Sequence, residues 1–458
     1  MNKKESPEEF NRRDFLKNTS LAALGAMASC VELCPASTAR AADSPDALTP
    51  APPGPPVNYG VIGAGAWGRE ILTTLAQLPN TPVVAVCEHF PAGLLRAGEA
   101  APKAERFDDY QKLLGKKEVQ AVVVATPTHQ HLDIVLAALA AGKHVYCEAP
   151  LANSIADAKS IARAAQSAFK LVFQAGLQER AHPQRHFLRP FIRSGALGRN
   201  VLARAQWHKK TSWARTSAAA AREKELNWRL RQATSTGLMG ENCIHLLDAV
   251  TWFLGARPAA VTGFSSLLLW DDGRDVPDTV QAVFEFADGA RLICDATLCN
   301  SFDAQYEMYY GTDSAILVRE SKAWQFKEVD SPLLEWEVYA RKETFGAETG
   351  ISLVANASKQ TAQGKNAVAA SPYPNSPLYY ALQAFTDNVG SINAEVEEFI
   401  SSFGEDDPQA LRDHLATLKR QPAAGWKEGL EATVLAIKAN EAALARQKIE
   451  LKKEFFEL

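Results

Sequence analysis

The sequence predicts an α/β protein in which a doubly wound parallel sheet is followed by an α+β domain with a mostly antiparallel, open sheet. Three observations predict it: a glycine-rich turn between a strand pattern and a helix pattern, alternating short strands and helices up to residue 174, and strand-like segments beyond. The 458 residues, 47% hydrophobic and 22% charged, suffice for about three globular domains. A net charge of −4 without a block of like charge argues against a nucleic-acid partner.

The first 41 residues predict an export signal. Arg12-Arg13 is followed by Phe15-Leu16-Lys17, by a weakly apolar stretch at 21–31 and by small residues that end at Ala41. This order resembles a twin-arginine signal, and its apolar stretch is too short to span a bilayer. We expect export by the twin-arginine translocase, cleavage after Ala41 and a periplasmic protein. A charged disordered tail and a membrane-tethered lipoprotein modified at Cys30 are the alternatives.

A Pro-rich linker at 42–56 follows the signal and predicts an extended tether. Two of the seven cysteines, Cys30 and Cys34, belong to the signal. The other five are widely spaced, and an odd number cannot form a complete set of disulfides. No Cys/His spacing is typical of zinc. We expect most of the five to be small core residues: Cys87, Cys147, Cys243, Cys294 and Cys299.

Residues 57–88 have the pattern of a dinucleotide-binding turn. A strand pattern at Val57–Ile62 leads into Gly63-Ala64-Gly65-Ala66-Trp67-Gly68, a helical pattern follows at Arg69–Leu78, and the strand Pro82–Cys87 ends at Glu88. In such a Rossmann fingerprint the glycines let a pyrophosphate approach a helix N-terminus, and the acid binds the ribose hydroxyls. Because Glu88 would repel a 2′-phosphate, we expect NAD rather than NADP.

The alternation continues with strands at 121–125, 144–147 and 171–174 and helices at 130–141 and 155–165. It predicts one parallel sheet for residues 57–177. Ligands bind at the carboxyl ends of such strands. Two short segments lie there, Ala125–His131 and Cys147–Pro150.

A change of pattern after Gln174 predicts a second domain, residues 178–458. It starts with a polar connection through Arg180 and His182. An Asp-Gly turn between apolar runs predicts a hairpin at 285–292, and Ala/Leu periodicity predicts a packed helix at 429–445. The irregular stretch at 333–422 is expected to shape either a pocket or an oligomer contact.

Four segments together point to one family: the glycine turn, Thr126-Pro127 with His131, Gly142–Pro150, and a Gly-x-x-x-Glu-x-x-x-His-x-x-Asp pattern from Gly237 to Asp248. They resemble the Gfo/Idh/MocA oxidoreductases, which include glucose-fructose oxidoreductase and inositol dehydrogenase. From residue 57 onward, the resemblance implies an NAD-dependent enzyme acting on a sugar or cyclitol hydroxyl, and homo-oligomers formed through the open sheet. The predicted cofactor-binding residues are Gly63, Ala64, Gly65, Ala66, Trp67, Gly68, Glu88, Thr126, Pro127, His131 and Glu148.

The stretch 239–254 predicts a helix on which Glu241 and His245, four residues apart, share one face. Without the family, a His on an apolar helix is more often a core residue. The resemblance implies that this acid and His bind and polarise the substrate hydroxyl; the usual acid is Asp, one methylene shorter than Glu. The predicted catalytic residues are Glu148, Glu241 and His245, and the predicted substrate ligands are Arg180, His182, Glu241 and His245.

Family members usually carry Glu-Lys-Pro where this chain has Glu148-Ala149-Pro150. The resemblance implies that this lysine helps to remove the hydroxyl proton, and losing such a group typically costs on the order of 10² to 10⁴ in rate. We expect His245, oriented by Glu241, to take over, since its unperturbed pKa of about 6.5 lies near neutral pH. Lys209 and Lys210 are an alternative, although a surface pair is the more common arrangement.

Export constrains the cofactor, because a periplasm offers no pool of NAD. The enzyme must keep its NAD with a dissociation constant near nanomolar, about −12 kcal/mol, and restore it inside the site. One chemistry oxidises one sugar and reduces a second carbonyl compound. Another oxidises a sugar transiently and cleaves a glycosidic bond, as in NAD-dependent glycoside hydrolases related to this family. A non-catalytic sugar or cofactor sensor is the third hypothesis.

Overall fold

Two sheets, one parallel and one mostly antiparallel, organise the part of the chain that the computed structural model describes, residues 55–332, 337, 340–353, 373–404 and 406–458. The predicted fold class is confirmed. The predicted export signal with Cys30 and Cys34, and residues 354–372 of the irregular stretch, lie outside the described residues.

The first sheet has six parallel strands in the order β3-β2-β1-β4-β5-β6. Its central strands are short apolar runs that are buried on both faces, as expected when helices cover a parallel sheet on both sides. The strands are β1 Tyr59–Ile62, β2 Val83–Cys87, β3 Glu105–Phe107, β4 Ala121–Val124, β5 His144–Cys147 and β6 Phe173–Ala175.

Five helices accompany this sheet. Asp109 and Ser154 cap two of them by accepting hydrogen bonds from backbone N–H groups in the first turn. The crossover between β2 and β4 adds a helix, a strand and a second helix that the predicted alternation left out; glycines at 93 and 98 weaken the helical pattern there. The helices are α1 Ala66–Leu75, α2 Pro91–Ala100, α3 Tyr110–Leu114, α4 His131–Ala140 and α5 Ile155–Ser167.

The second sheet has ten strands in the order β14-β15-β13-β12-β11-β7-β10-β9-β8-β16. All paired neighbours are antiparallel except β7 and β10. The predicted hairpin is confirmed, with Glu285 opposite Arg291 across the turn between β9 and β10. The strands are β7 Asn200–His208, β8 Ala260–Ser266, β9 Thr279–Glu285, β10 Arg291–Thr297, β11 Gln305–Gly311, β12 Ser314–Arg319, β13 Lys322–Lys327, β14 Lys342–Phe345, β15 Glu348–Ser352 and β16 Ile449–Glu450.

Four helices follow the first sheet in the chain and precede β8 of the second sheet. The first continues as a π-helical turn at Ile192–Ala196, and two of the others are short. Alternate residues of β9 and β10 are buried on the sheet face toward the helices. The helices are α6 Pro183–Phe191, α7 Ala220–Leu226, α8 Gly237–Glu241 and α9 Ile244–Leu254.

The stretch 333–422 contains a long helix that returns to the first domain, which corrects the expectation of an irregular segment. Helix α10, Pro377–Phe403, buries Leu382, Phe385 and Val389 in one cluster with Tyr59 and neighbouring residues of the first domain. The Tyr59 hydroxyl lies 2.8 Å from Oγ1 of Thr386. The shorter helix α11, Pro408–Thr417, follows.

The last helix, α12 Trp426–Ala445, contacts both domains and confirms the predicted packed helix. At its first turn, the Cα of Gly429 is so close to the first domain that an added Cβ would lie 2.8 Å from the Cβ of Ala175. Near its last turn, Ala443 packs against Gly263 of β8. Small residues therefore let one helix pack closely on both sheets.

The five cysteines of the described chain are free; Cys87, Cys147, Cys243 and Cys294 are buried and Cys299 is half-buried, so the prediction of core residues is confirmed for four of them. Among the helices of the described residues, none is both long and apolar enough to cross a membrane.

Candidate active site

The glycine turn after β1 has three glycines with three different steric roles. Gly63 has φ +93°, and an added Cβ would lie 2.7 Å from the backbone of Ala125. At Gly68, an added Cβ would lie 1.9 Å from the carbonyl oxygen of Gly63. At Gly65, by contrast, a Cβ would meet nothing within 4 Å. The fold itself requires Gly63 and Gly68, whereas Gly65 leaves open space at the start of α1.

That open space suits an anionic group. Gly65 is the N-cap of α1, and no side chain caps the first turn, so backbone N–H groups at the positive end of the helix are available to a phosphate. Ala66 and Trp67 open the helix, and Trp67 is exposed.

Glu88 lies beside this turn, at the carboxyl end of β2. Its carboxylate accepts hydrogen bonds from the Ala64 N–H at 3.2 Å and the Phe90 N–H at 3.1 Å. These bonds hold it next to the glycine turn, where an acid binds ribose hydroxyls in this fold. The structure thus places Glu88 as the fingerprint predicts.

The loop after β4 supplies a further polar group. Oγ1 of Thr126 is buried and has no hydrogen-bond partner among the described residues, so it is available to a ligand. Pro127 is half-buried beside it. His131 differs from the prediction: it is 1% exposed, and its ring nitrogens lie 3.0 Å from the carbonyl oxygens of Thr126 and Pro150. It therefore ties two loops together.

Glu148 lies at the carboxyl end of β5 and is 8% exposed. Its Oε1 has no hydrogen-bond partner among the described residues. Burial raises the pKa of Glu148 to about 7, although hydrogen bonds from Trp67 and the Ala149 backbone lower it in part. Gly176 makes room for this carboxyl, since a Cβ there would lie 2.7 Å from Oε2. An acid that is half-ionised near neutral pH thus adjoins the glycine turn.

Position 149, next to Glu148, is a half-buried Ala and so supplies no ammonium group. The proposed substitutes Lys209 and Lys210 are both exposed, on the loop after β7. They form a surface pair, the more common of the two arrangements considered for them.

Glu241 and His245 do not share a helix face, which corrects the spacing argument. Helix α8 ends at Glu241, Asn242 leaves the helical region with φ −130°, and α9 begins at Ile244. The Glu241 carboxylate instead accepts hydrogen bonds from the N–H of Thr236 at 3.1 Å and its hydroxyl at 2.9 Å. Glu241 therefore does not orient His245.

Glu241 does reach the first domain. Oγ1 of Thr128, in the loop after β4, lies 3.4 Å from both carboxylate oxygens. Nε of Arg229 lies 3.5 Å from Oε2. The family motif of the second domain thus meets the carboxyl edge of the first sheet, where the cofactor residues lie.

His129 belongs to the same contact, and the sequence reasoning missed it. Its ring centroid lies 6.1 Å from that of Trp228, and its Nδ1 is buried with no partner among the described residues. Burial lowers its pKa, while the Thr234 backbone and Glu241 act in the opposite direction. Its position inside the Ala125–His131 segment at a strand end was the available signal.

His245 lies half-buried at the start of α9. Burial lowers its pKa, and the negative charge of Glu179 acts in the opposite direction. Glu179 lies in a 3₁₀ turn, Gln178–Ala181, directly after the first sheet. The sequence reasoning passed over Glu179, although it is adjacent to Arg180 in the polar connection.

Arg180 and His182, the two predicted substrate ligands of the polar connection, both have hydrogen-bond partners within the protein. The Arg180 guanidinium donates to both oxygens of Asp248 at 2.8–3.1 Å. His182 is 3% exposed, and its Nδ1 accepts a hydrogen bond from the N–H of Gln184 at the start of α6. Burial lowers the pKa of His182 to about 4, so the ring is neutral at pH 7.

Helix α7 of the second domain contacts the loop after β2. Nε2 of His89 lies 2.9 Å from Oε2 of Glu225, and the guanidinium of Arg222 lies 4.3 Å from the centroid of the Phe90 ring. The segment 220–241 therefore touches the loop after β2 through α7 and the loop after β4 through Glu241. In the sheet, β1 lies between β2 and β4, so the segment contacts the two loops on either side of the glycine turn.

The residues present fit a dinucleotide. Gly65 leaves space for a pyrophosphate, Glu88 is held for ribose hydroxyls, and two buried polar atoms, Oγ1 of Thr126 and Oε1 of Glu148, have no partner among the described residues. All four lie at the carboxyl edge of one parallel sheet, the place where such folds bind nucleotides.

Comparison with known proteins agrees with this geometry. Residues 57–175 match the family described as "Oxidoreductase family, NAD-binding Rossmann fold", and residues 186–316 match "GFO/IDH/MocA C-terminal domain". The first domain is therefore an NAD-binding Rossmann domain. Neither match includes the first 56 residues.

Three relatives illustrate the range of the similarity. Inositol 2-dehydrogenase of Salmonella typhimurium strain LT2 is 30% identical over 43% of this chain and 54% of its own length. Levoglucosan dehydrogenase of Pseudarthrobacter phenanthrenivorans is 26% identical over 53% of this chain and 67% of its own. The 2,7-anhydro-N-acetylneuraminate hydratase of Escherichia coli K12 is 28% identical over 45% of this chain and 52% of its own. The match to inositol 2-dehydrogenase thus spans about half of that relative's length.

A solved levoglucosan dehydrogenase in complex with NADH and L-sorbose shares the fold, with a TM-score of 0.64 at 19% identity over 87% of this chain and 99% of that one. At this level of identity the likeness concerns the fold.

The steric roles of the glycines predict different outcomes for two similar substitutions. Gly65→Ala places its Cβ in open space, so it should leave the melting temperature nearly unchanged but weaken NAD binding at least about tenfold by blocking the pyrophosphate. Gly68→Ala, the matched control, should lower the melting temperature because its Cβ meets the Gly63 carbonyl. Thermal unfolding and calorimetric titration with NAD measure both effects. Equal loss of stability in the two variants would contradict this assignment.

The raised pKa of Glu148 predicts a pH-dependent stability. Its folded-state pKa of about 7 exceeds the value near 4.5 of an exposed Glu, so the folded protein holds the extra proton and loses stability as pH rises between these values. In cofactor-free protein, Glu148→Gln should therefore be more stable than wild type by about 3 kcal/mol at pH 8, with a smaller difference at pH 5.

Denaturant unfolding at the two pH values measures this difference. Glu99→Gln, at an exposed site, is the control and should show no such change. A Glu148→Gln variant without a pH-dependent gain would show that the carboxyl is already ionised in the folded protein.

Proposed function

Because this chain belongs to the Gfo/Idh/MocA oxidoreductase family, we propose that it is an NAD-dependent oxidoreductase acting on a CH–OH group of a sugar or cyclitol. The observation that carries the proposal is the contact of Glu241 with Thr128. It brings the family's acid-and-His segment of the second domain to the nucleotide-binding edge of the first. The names of the inositol and levoglucosan dehydrogenases support the substrate class.

When bound, NAD⁺ supplies the hydride acceptor, so that a CH–OH carbon loses a hydride and its oxygen loses a proton to leave a carbonyl. The residues of this chain must bind the hydroxyl and take up that proton. His245 is the proposed acceptor, because burial lowers its pKa and so favours the neutral ring, the form that can accept a proton. Glu241, held by Thr236, is proposed to bind a substrate hydroxyl near Thr128. Glu148 is proposed to contact the cofactor through its unpartnered oxygen.

Retention of the cofactor is also part of the proposal. The segment 220–241 contacts the loops after β2 and β4, on either side of the glycine turn, so we infer that it would cover a dinucleotide bound on that turn. Such a clasp slows release and suits an enzyme whose cofactor is reoxidised in place by a second carbonyl compound. We also propose a periplasmic location, reached through the twin-arginine translocase, because of the arginine pair at 12–13. In that location the enzyme would have to retain its cofactor.

A second candidate is an enzyme that oxidises a sugar transiently and adds water to or cleaves a bond, taking the hydride back. Ala149 and the similarity to a 2,7-anhydro-N-acetylneuraminate hydratase favour it. In that chemistry the ketone acidifies a neighbouring C–H, and a base of the chain removes its proton. The net reaction leaves the cofactor as it began.

Assembly into homo-oligomers through the open face of the second sheet stays a prediction. Phe264 of β8 and Val283 of β9 are exposed on that face. They provide apolar surface of the kind that a second copy of the chain would cover.

Product analysis decides between the candidates. The purified protein is incubated with free sugars and a carbonyl acceptor, and separately with p-nitrophenyl glycosides. Oxidised sugar with reduced acceptor supports the oxidoreductase, and nitrophenol release without NADH accumulation supports the alternative. Sugar binding without turnover would leave the sensor hypothesis and refute both.

His245→Ala should lower kcat at least about a hundredfold while NAD stays bound, because the proton acceptor is removed. Lys209→Ala, at an exposed site, is the matched control and should keep full turnover. An active His245→Ala enzyme would exclude the acid–base role.

The clasp predicts a kinetic effect without an effect on chemistry. Replacing both Arg222 and Glu225 by Ala removes the contacts of α7 with Phe90 and His89, so NAD should dissociate about three- to tenfold faster. Rapid dilution followed by coenzyme fluorescence measures the rate. Lys224→Ala, exposed on the same helix, should not change it. An unchanged rate in the double variant would refute the clasp.

A further inference from the structure

The 3₁₀ turn that carries Glu179 is anchored to the helix that carries His245. Arg180, the next residue, donates to both oxygens of Asp248, which lies one turn after His245 on α9. This two-pronged ion pair fixes the turn against the helix. Glu179 and the start of α9 are thereby held in a constant relation.

Glu179 itself is fixed and ionised. Nε of Arg185 donates to its Oε2 at 2.6 Å. Burial opposes ionisation of Glu179, but Arg185, His182 and His245 together lower its pKa below the ordinary value. Because His182 is neutral at pH 7, Arg185 is the permanent positive partner.

Arg185 is shared with a second carboxylate. Its NH2 group donates to Oε1 of Glu307 on β11 at 2.9 Å, and the Tyr309 hydroxyl donates to the same carboxylate. Arg185 and Glu307 are both nearly inaccessible to solvent. The position of Glu179 is therefore set by a buried charge network that reaches into the second sheet.

The other charged groups around α9 are committed to different partners. Arg180 pairs with Asp248, and Glu428 and Glu431 of α12 act on that pair. Arg189 donates to the carbonyl of Trp252 near the other end of the helix. Glu241 is bound by Thr236. Glu179, by contrast, lies on a turn that contacts α9, and its negative charge acts to raise the pKa of His245.

We propose that Glu179 is the positioning residue of the proton acceptor: its carboxylate, held by Arg185, stabilises the protonated form of His245, the role that sequence spacing had assigned to Glu241. The inference rests on the proposed function, in which His245 takes the hydroxyl proton. In this step one proton moves from the substrate oxygen to the His245 ring. It later passes to solvent or back to the substrate. Glu179 gains no proton in this step.

The experiment compares Glu179→Gln with Glu307→Gln. Without the carboxylate at 179, protonated His245 loses its stabilisation, so the acid limb of the pH profile of kcat/KM should move to lower pH. Turnover at the optimum should fall about tenfold, because the base is weaker. Glu307→Gln removes the other partner of Arg185 and should lower stability without moving the acid limb. Glu179→Asp keeps the charge and should restore a limb close to wild type.

An NMR titration of the labelled His245 ring, free of substrate, separates this inference from the proposed function. A midpoint that moves to lower pH in Glu179→Gln but not in Glu307→Gln supports the positioning role even if no sugar is turned over. An unchanged midpoint in Glu179→Gln, or an equal change in both variants, overturns it. If His245→Ala instead keeps normal turnover, the catalytic role of His245 is refuted.

Discussion

The close packing of α12 on both sheets is the constraint on which the contact between the two domains depends. Gly429 lies against Ala175 and Leu151 at one end of the helix, and Ala443 lies against Gly263 at the other. A single added methyl group at Gly429 would collide with the first domain at 2.8 Å. Since close-packed interiors relax only partially, the distance between the domains is fixed by the smallest side chains available. Other contacts between the domains, such as Glu241 with Thr128, follow from this placement.

Charged side chains in the interior of the second domain are held in pairs or triads. Arg180 is matched by Asp248, and Arg185 by Glu179 and Glu307. An unpaired buried guanidinium would cost several kcal/mol, so each of these partners is needed for folding before it has any chemical role. The same requirement gives the carboxylate near His245 a definite position. One set of residues thus serves both the packing of the domain and the proposed proton transfer.

The nucleotide edge combines a rigid turn with a segment from the other domain. Gly63 and Gly68 shape the turn by steric necessity, and α7 approaches the loop that carries Glu88. In a family whose members usually place a lysine beside the glutamate at 148, this chain has Ala149 and a carboxyl with a pKa of about 7. The proposed function therefore assigns the uptake of the substrate proton to His245 of the second domain.

Local stereochemistry determined what the sequence alone could predict. The glycine turn, Glu88 at a strand end, the β9–β10 hairpin and the last helix each depend on neighbouring residues and on periodicity. The pairing of Arg185 with Glu307, 122 positions away, depends on how the sheets pack, and no pattern reveals it. Helical spacing placed Glu241 under His245, yet Asn242 breaks the helix and Thr236 and Thr128 offer Glu241 better partners. Which carboxylate serves His245 was decided by tertiary contacts, because electrostatic partners are chosen by distance in space.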